Sequence, residues 1–276
     1  MVCAGDKTKL LIVGTKQLKQ SKLFSKNKNI SVTVCGNLIE PSHSEKLLGV
    51  VVNDELTWKD HLYGEHWRQE DNAPGLIPQL SQRVGLLFKL AGCLSSKGFN
   101  SVSNGLFYSK LKYCLEIFGN VWGYDTLDEN KRHFSSFTIQ DCRRLQVLQN
   151  RVLRLNSGLD YDTPTSILLA KTNELSVHQI IAYHTLLTVY KTLKTRKPSY
   201  IHSRLKPNSG ANLISLRNGS NLNVHGELTV TRGGFIYRGA KLFNMVPENI
   251  RSNPISKSFK VQVKQWIKLN ISIRPE

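Results

Sequence analysis

Lys46-Leu-Leu-Gly-Val-Val-Val-Asn53 is a β-branched, apolar run of the kind that forms buried strands. The turn pair Asn53-Asp54 closes this run. Immediately afterwards, Thr57 is placed to cap a short helix that passes through Trp58 and His61. The stretch therefore predicts a strand that leads directly into a helix, and it places β structure early in the chain.

Two segments upstream also have strand character. Thr8-Lys-Leu-Leu-Ile-Val-Gly14 is a short apolar run that ends in glycine, and Ile30-Ser-Val-Thr-Val34 alternates with a period of two. Gly36-Asn37 gives a turn signal before Leu38-Ile39. The lysine-rich residues 16–29 are the predicted exposed connection. The first part of the chain is therefore expected to form a small, mostly antiparallel sheet.

Helical periodicity begins after the loop Asp71-Asn-Ala-Pro-Gly75 and continues to about Lys197. Residues 207–234 are rich in Asn, Gly and Ser and predict loop with short strands. The predicted helices are Gln79–Leu94, Ser101–Trp122, Asp141–Asn156 with Gly158 after its end, one that starts at Thr163-Pro164, Ser176–Leu193, Phe235–Asn244 and Ser256–Asn270. The predicted fold class is therefore α+β: a small antiparallel β-rich part, then a mainly α-helical region and a basic helical extension.

The charge of the chain is its strongest compositional feature. The 276 residues carry a formal net charge of +18. Seven lysines against one aspartate give residues 1–28 a net charge of +6, and fourteen Lys and Arg against three Glu give residues 196–276 a net charge of +11. This concentration at both ends favours RNA or DNA as a partner. The alternative is a generally basic surface with no polyanionic partner.

Other classes of protein fit the composition less well. The apolar runs are far shorter than the roughly 18 residues of a membrane span, so no membrane association is expected. Five cysteines without a CxxC pair fit neither a disulfide scaffold nor a zinc ribbon. The N-terminus has no secretory pattern, which predicts an intracellular protein, nuclear or cytoplasmic.

Six short segments stand in an order that carries a family resemblance. Two of them have the most detail: Gly5–Gly14 is similar to a motif written N-P-x-K-T, and Lys46–Leu62 is similar to L-G-V followed by D-x-x-L-x-W-x-x-H. The others are Phe107–Leu115, Leu145–Arg151, Leu175–Tyr183, and Tyr237–Asn244 taken with Val246–Arg251 and Phe259-Lys260. Together they resemble the part of a non-LTR (LINE-type) retrotransposon reverse transcriptase that follows its active site.

This resemblance implies a division of the chain into three regions. Residues 1–70 would be a remnant of the polymerase palm with a primer-grip-like motif, and residues 71–160 a helical, thumb-like region. Residues 161–276 would be a basic C-terminal extension. The missing palm and fingers of the polymerase would then be partners in addition to RNA or DNA, which the chain is expected to bind non-specifically.

The catalytic carboxylates of the family are absent from this sequence. Family members hold two Mg²⁺ ions with an aspartate on an early palm strand and an aspartate pair in a Y/F-A-D-D turn. This chain has no Asp-Asp pair, and Asp6 and Asp54 lie in motifs that do not bind the metal in the family. We therefore expect no polymerase activity, no catalytic residue and no cofactor for this chain.

The resemblance also implies roles for individual residues. Lys7 would lie near the incoming nucleotide, the alternative being a solvated lysine beside a strand. The primer-grip-like residues would be Leu48, Gly49 and Val50, in a turn, with Trp58 and His61. The alternatives are a buried strand with a glycine bulge for the turn, and a helix packed onto the sheet for Trp58 and His61. The cations expected to contact nucleic acid are Arg143, Arg144, Arg151, Arg154, Arg238, Lys241, Arg251, Lys260, Lys264 and Lys268.

Two other functions stay open at the sequence level. The first is a non-catalytic protein-interaction module derived from the same element. The second is an unrelated thiol enzyme that uses Cys114 with a distant histidine, against which stands the commoner case of a buried helical cysteine. Tyr237, Phe243 and Trp266 are interleaved with the C-terminal cations and fit either base stacking or a hydrophobic core.

Overall fold

The computed structural model describes residues 8–14, 30–64, 74–119, 137–207, 221–224, 234–254 and 256–273. The chain divides into two compact units, Met1–Ser81 and Gln82–Glu276. The first contains the strands and the second is built from helices, so the broad prediction of a mixed, mainly helical α and β chain is confirmed. The assignment of these parts to palm, thumb and extension stays a prediction.

The strands of the first unit form three ladders of two strands each. β1 pairs in parallel with β4, whereas β2 with β3 and β5 with β6 are antiparallel hairpins. The strands are β1 Leu10–Leu11, β2 Val32–Val34, β3 Asn37–Ile39, β4 Pro41–Ser42, β5 Ser44–Leu47 and β6 Val50–Asn53. Among the described residues, the predicted single sheet is thus replaced by separate short ladders.

The run Lys46–Asn53 lies in a hairpin, so the chain does turn where the resemblance implies a turn at Leu48–Val50, and the alternative of one buried strand is wrong. Leu48 and Gly49 have φ of 49° and 87°, and they turn the chain between β5 and β6. The β2–β3 hairpin turns in the same way at Cys35-Gly36, one residue before the predicted Gly36-Asn37. Positive φ at both central residues gives a turn whose twist matches that of the flanking strands.

The helix after this hairpin is α1, Lys59–Tyr63, and Thr57 does not cap it. Its N-cap is Trp58, whose side chain makes no capping hydrogen bond. Thr57 instead pairs with Asn53: its Oγ1 accepts from Asn53 Nδ2 at 2.6 Å and its backbone N–H donates to Asn53 Oδ1 at 2.7 Å. This reciprocal pair fixes the turn that joins β6 to α1.

The remaining helices follow along the chain, and a five-residue π-helical turn at Asn104–Tyr108 lies between α3 and α4. Their bounds are α2 Leu76–Ala91, α3 Ser96–Ser103, α4 Ser109–Lys112, α5 Leu115–Phe118, α6 Ile139–Ser157, α7 Thr165–Thr172, α8 Val177–Thr195, α9 Ser199–His202, α10 Phe235–Met245, α11 Glu248–Arg251 and α12 Lys257–Asn270. The predicted helix Ser101–Trp122 is therefore interrupted. Cys114, with φ of 55°, separates α4 from α5.

Several helix ends follow the predicted chemistry. Thr138 and Asp141 form a capping box at the start of α6, and Gly158 ends this helix in the left-handed conformation, as predicted. Ser176 and Gln179 form a second capping box at α8. The start of α7 differs by one position, because Pro164 is its N-cap and the helix begins at Thr165.

α8 is the central helix of the second unit. Helices α5, α6, α9, α10 and α12 all pack against it. Its buried side chains lie on every face, from Val177 and Ile181 to Val189 and Tyr190. Because other helices surround α8, side chains are buried on all of its faces rather than on one stripe.

A set of buried amide side chains joins α6, α8 and the C-terminal segment. Gln149 Nε2 donates to Leu175 O at 2.7 Å, and Gln179 Nε2 donates to Ile271 O at 2.8 Å. His178 Nδ1 lies 3.0 Å from Ser272 O. Buried polar groups need such partners, so the block Leu175–Tyr183 has a clear structural role in holding these elements together.

Candidate nucleic-acid interface

The primer-grip-like residues lie on the β5–β6 hairpin and on the following helix. Leu48 stands at the hairpin tip with 84% of its surface exposed, next to Gly49. Val50 is buried at 6% exposure. The tip therefore presents an exposed aliphatic side chain on a tight turn, while Val50 contributes to the packing of the first unit.

Trp58 and His61 act mainly in the local structure. Trp58 is half-buried at the N-terminus of α1. His61 is buried, and its Nδ1 accepts a hydrogen bond from the backbone N–H of Val51 at 3.3 Å. The imidazole thus ties α1 to β6, and in this position it is not presented to a ligand at the surface.

Two carboxylates near this helix flank one histidine. His43 Nδ1 lies 2.9 Å from Asp54 Oδ1, and His43 Nε2 lies 3.9 Å from Asp60 Oδ2. Asp60 is buried, with no hydrogen bond to either carboxylate oxygen. The described residues contain no cluster of three or more His, Cys, Asp or Glu side chains able to hold a metal ion.

The arginines of α6 fall into two groups. Arg143, Arg144 and Arg151 are exposed to solvent. Arg154 donates to the carbonyl oxygens of Asp160 and Thr163, at 3.2 and 3.1 Å. Arg154 therefore fixes the loop between α6 and α7, whereas Arg143, Arg144 and Arg151 place their charge at the surface of α6.

Two of the predicted C-terminal cations have structural roles. Arg238 is only 3% exposed, and its guanidinium donates to the backbone oxygens of Gly119 and Ile117. Arg251 donates to Asn221 Oδ1 at 3.0 Å and lies over the ring of Phe243. The expectation that Arg238 contacts nucleic acid is therefore corrected, because a buried guanidinium cannot reach a phosphate.

The lysines of the same region are more accessible. Lys264 Nζ donates to Asn173 O at 2.7 Å, and Lys268 Nζ donates to Asn173 Oδ1 at 2.6 Å, so both lysines support the C-terminal end of α7. Cations are favourable at this end of a helix. Lys241 and Lys260 are exposed on α10 and α12.

The aromatic residues between these cations belong to the core. Phe243 and Trp266 are each 8% exposed, and Tyr237 is half-buried. Trp266 lies on the buried face of α12 together with Phe259 and Val263. Of the two interpretations open from the sequence, the geometry thus favours packing over base stacking for Phe243 and Trp266.

A dense group of exposed cations among the described residues was not predicted as a site from the sequence. Residues 191–206, the end of α8 and all of α9, contain six Lys and Arg and no Asp or Glu. All six are exposed, and Tyr200 among them is 70% exposed. We call this the α8–α9 basic surface: Lys191, Lys194, Arg196, Lys197, Arg204 and Lys206. The absence of acids over sixteen residues was a signal visible in the sequence.

Two further exposed cations lie on α12, which packs against α8. The ring of Tyr190 on α8 stacks on Phe259 of α12, with ring centroids 4.0 Å apart. Lys257 and Lys260 flank Phe259 in the first turn of α12, and both are exposed. Lys194 on α8 lies over the same tyrosine, with its Nζ 5.5 Å from the Tyr190 ring centre.

The cysteines are poor candidates for nucleophiles. Partial burial raises the pKa of the Cys114 thiol above its ordinary value, and the charge of Glu116 adds to this effect. Burial raises the pKa of Cys142 to about 12. Because the thiolate is the reactive form, these shifts disfavour the thiol-enzyme alternative. Lys7 lies outside the described residues.

No helix among the described residues has the length and apolar character needed to cross a membrane. A scan of protein-family models, a search of curated proteins and a search of solved structures found no match to this chain. The resemblance to a reverse transcriptase therefore rests on the order of the six sequence segments alone.

Proposed function

We propose that this chain binds nucleic acid without sequence preference, and that the α8–α9 basic surface makes the principal contacts. The single observation that carries the proposal is six exposed cations within sixteen residues that contain no acid. Phosphate contacts from Lys and Arg give affinity and position, whereas sequence is read by contacts to base edges. A surface dominated by lysine and arginine is suited to the first kind of contact.

The proposal includes the origin of the chain. The six sequence segments, taken in their order, support an origin as the C-terminal part of a non-LTR retrotransposon reverse transcriptase. The exposed tip at Leu48-Gly49 would then be the primer grip. Without the aspartate pair, this part would hold a nucleic acid strand and would not extend it. A Mg²⁺-dependent primer extension assay on the purified chain should therefore give no product, and extension above a heat-inactivated sample would contradict this part of the proposal.

The electrostatic mechanism sets a measurable salt dependence. Each neutralised phosphate of duplex DNA releases counterions, and the slope of log affinity against log salt is about −0.9 per contact. If four of the six cations of the α8–α9 basic surface contact phosphates, the slope is about −3.6. Single strands give a shallower slope of about −0.7 per contact.

Charge reversal provides the decisive experiment. The test variant replaces Lys191, Lys197 and Arg204 by Glu. The matched control replaces Lys59, Lys89 and Lys97 by Glu; these lysines are also exposed but lie outside the α8–α9 basic surface. Binding to a fluorescent oligonucleotide is measured by anisotropy over a series of salt concentrations. We expect the test variant to lose at least tenfold in affinity and much of the salt slope. Equal losses in both variants would show general electrostatic attraction and would refute the assigned surface.

A second candidate function is supported by the first unit. Its surface exposes several aliphatic side chains. Exposed apolar surface of this kind is found at protein–protein interaction sites. The exposed side chains are Val32, Leu38, Leu47, Leu48 and Leu56. This observation favours a non-catalytic protein-interaction module, whose binding would depend weakly on salt. A flat salt dependence of nucleic-acid binding, together with insensitivity to the charge-reversal variant, would favour this second candidate.

A further inference from the structure

A polar cavity of about 540 Å³ lies within the second unit, and no residue of the α8–α9 basic surface lines it. It is lined by residues of α3, the π-helical turn, the end of α6 and the end of α7. Its volume is that of a small-molecule pocket. Three carboxamide side chains line it, Asn100, Asn104 and Asn156, together with the phenol of Tyr108 and several hydroxyls.

Three buried polar atoms in this wall lack a hydrogen-bond partner in the structure: Tyr108 Oη, Asn156 Oδ1 and Ser157 Oγ. Tyr108 is only 5% exposed. The side chain of Gln149 lies close enough to the Tyr108 hydroxyl to offset part of the pKa increase that burial causes, but its Nε2 donates to Leu175 O at 2.7 Å and makes no hydrogen bond of normal geometry to Tyr108. Buried polar groups are normally satisfied, so three unsatisfied atoms around one cavity indicate a ligand that supplies their partners.

The backbone of the π-helical turn is a second, independent observation. The turn inserts at Asn104–Tyr108 within an otherwise α-helical stretch, and both its first and its last residue line the cavity. Such single π turns are uncommon and are often found at functional sites, because they redirect side chains. Here the turn brings the Asn104 carboxamide and the Tyr108 phenol to the same cavity.

The phenol is available as a neutral donor. Burial raises the pKa of Tyr108 well above its ordinary value, and the negative charge of Glu174 adds to this effect. The hydroxyl therefore keeps its proton at any physiological pH. Tyr108 can donate one hydrogen bond to an acceptor on a ligand and can accept another.

The charges at the cavity limit the class of ligand. Lys171 and Glu174 both line it, one cation and one anion, and Lys171 Nζ already donates to Ser157 O at 3.1 Å. The charges of the two lining residues cancel, and Lys112, a cation behind the wall, lies over the Tyr108 ring with its Nζ 4.8 Å from the ring centre. Val152 and Leu153 supply an apolar part of the wall. The cavity therefore fits a flat, uncharged molecule with hydrogen-bonding edges and an apolar face.

We propose that this cavity binds a nucleobase, presented either by a free nucleoside or by an unpaired nucleotide of a strand. A carboxamide offers a donor and an acceptor side by side, which matches the edge of a base. Asn156 Nδ2 donates to Asn100 Oδ1 at 2.7 Å, so the two amides are held together beside the unsatisfied Asn156 Oδ1. Binding of an unpaired nucleotide of a strand rests on the proposed function, whereas binding of a free nucleoside does not.

The test uses the full chain and four nucleosides: adenosine, guanosine, cytidine and uridine. Saturation-transfer NMR and calorimetry should detect at least one of them binding in the millimolar range or tighter, with glucose and inositol as polyol controls. Tyr108→Phe should weaken that binding about fivefold, the value of one net hydrogen bond. The matched control is Tyr161→Phe, at an 83% exposed tyrosine outside the cavity wall, which should leave binding unchanged.

Tyr108→Phe also separates binding from folding. It removes a hydroxyl that has no partner, so the free energy of unfolding should not fall. Absence of nucleoside binding, or equal binding of the polyols, would overturn the proposal even if oligonucleotide binding persists. Conversely, the charge-reversed variant of the α8–α9 basic surface should lose oligonucleotide affinity and keep nucleoside binding, so failure of the proposed function is distinguishable from failure of this one.

Discussion

Gly239 lies at a close contact between α8 and α10, and its replacement by alanine tests the packing of the second unit. A Cβ atom at this position would lie 2.5 Å from Val189 Cγ2. Carbon atoms in contact are normally about 3.5–4.0 Å apart, so the new methyl group would overlap by about 1 Å. Val189 is fully buried and its β-branched side chain has restricted χ1 freedom, so it cannot turn away at little cost.

The magnitude follows from two opposing effects. Overpacking of a buried contact costs about 1–3 kcal/mol. Replacing a helical glycine by alanine returns about 0.5–1 kcal/mol. We therefore expect Gly239→Ala to lower the free energy of unfolding by about 1–2 kcal/mol. Urea unfolding followed by far-UV circular dichroism measures this change, since the helical signal comes mostly from the second unit.

Gly85 provides the matched control, because a Cβ atom there would meet nothing within 4 Å. Gly85→Ala, in the middle of α2, should stabilise the chain by about 0.5–1 kcal/mol. In the Gly239→Ala background, Val189→Ala should relieve the overlap, and the double variant should be more stable than the sum of the single effects by about 1 kcal/mol. If Gly239→Ala were as stable as Gly85→Ala, or showed no coupling to Val189→Ala, the close packing of α8 on α10 would be refuted.

Three further predictions concern helix capping, pH and thiol access. Thr138→Ala should cost about 1 kcal/mol in urea unfolding through loss of the α6 capping box, and no loss would contradict its role. Burial lowers the pKa of His184 below its ordinary 6.5, so the unfolded state binds more protons and stability should fall as the pH drops below about 6.5. His184→Gln should flatten this pH dependence, and an unchanged slope would exclude the assignment. In native protein a thiol reagent should modify exposed Cys35 rapidly and Cys142 only on unfolding, as mass spectrometry of labelled peptides can check.

Local chemistry in the sequence was sufficient to predict several helix boundaries. Ser176 and Ser256 were expected at helix starts, and each accepts a hydrogen bond from a backbone N–H three residues on. Gly158 was expected after the end of α6 and has the left-handed conformation there. These predictions hold because capping depends on residues within one turn of each other.

The hairpin at Leu48-Gly49 shows the limit of the strand pattern, because only the family resemblance implied a turn there. The apolar run was consistent with one buried strand, since β-branched residues continue on both sides of the glycine. Pairing of Lys46 with Val51 across a two-residue turn gives two shorter strands instead. Period-two patterns do not indicate whether the partner of a strand is distant or is the same run folded back.

The sequence by itself determined the charge of this protein, the order of its motifs and several of its helix ends, because each is a property of composition or of neighbouring residues. Tertiary structure alone decided which cations are available: Arg238 is buried under Gly119, whereas Lys191 and its neighbours are exposed. It also decided that Asn104, Tyr108 and Asn156 line one cavity. Whether a side chain is buried, and which side chains line the same cavity, depends on the packing of helices that are distant in the chain. No local sequence pattern encodes which side chain faces which neighbour.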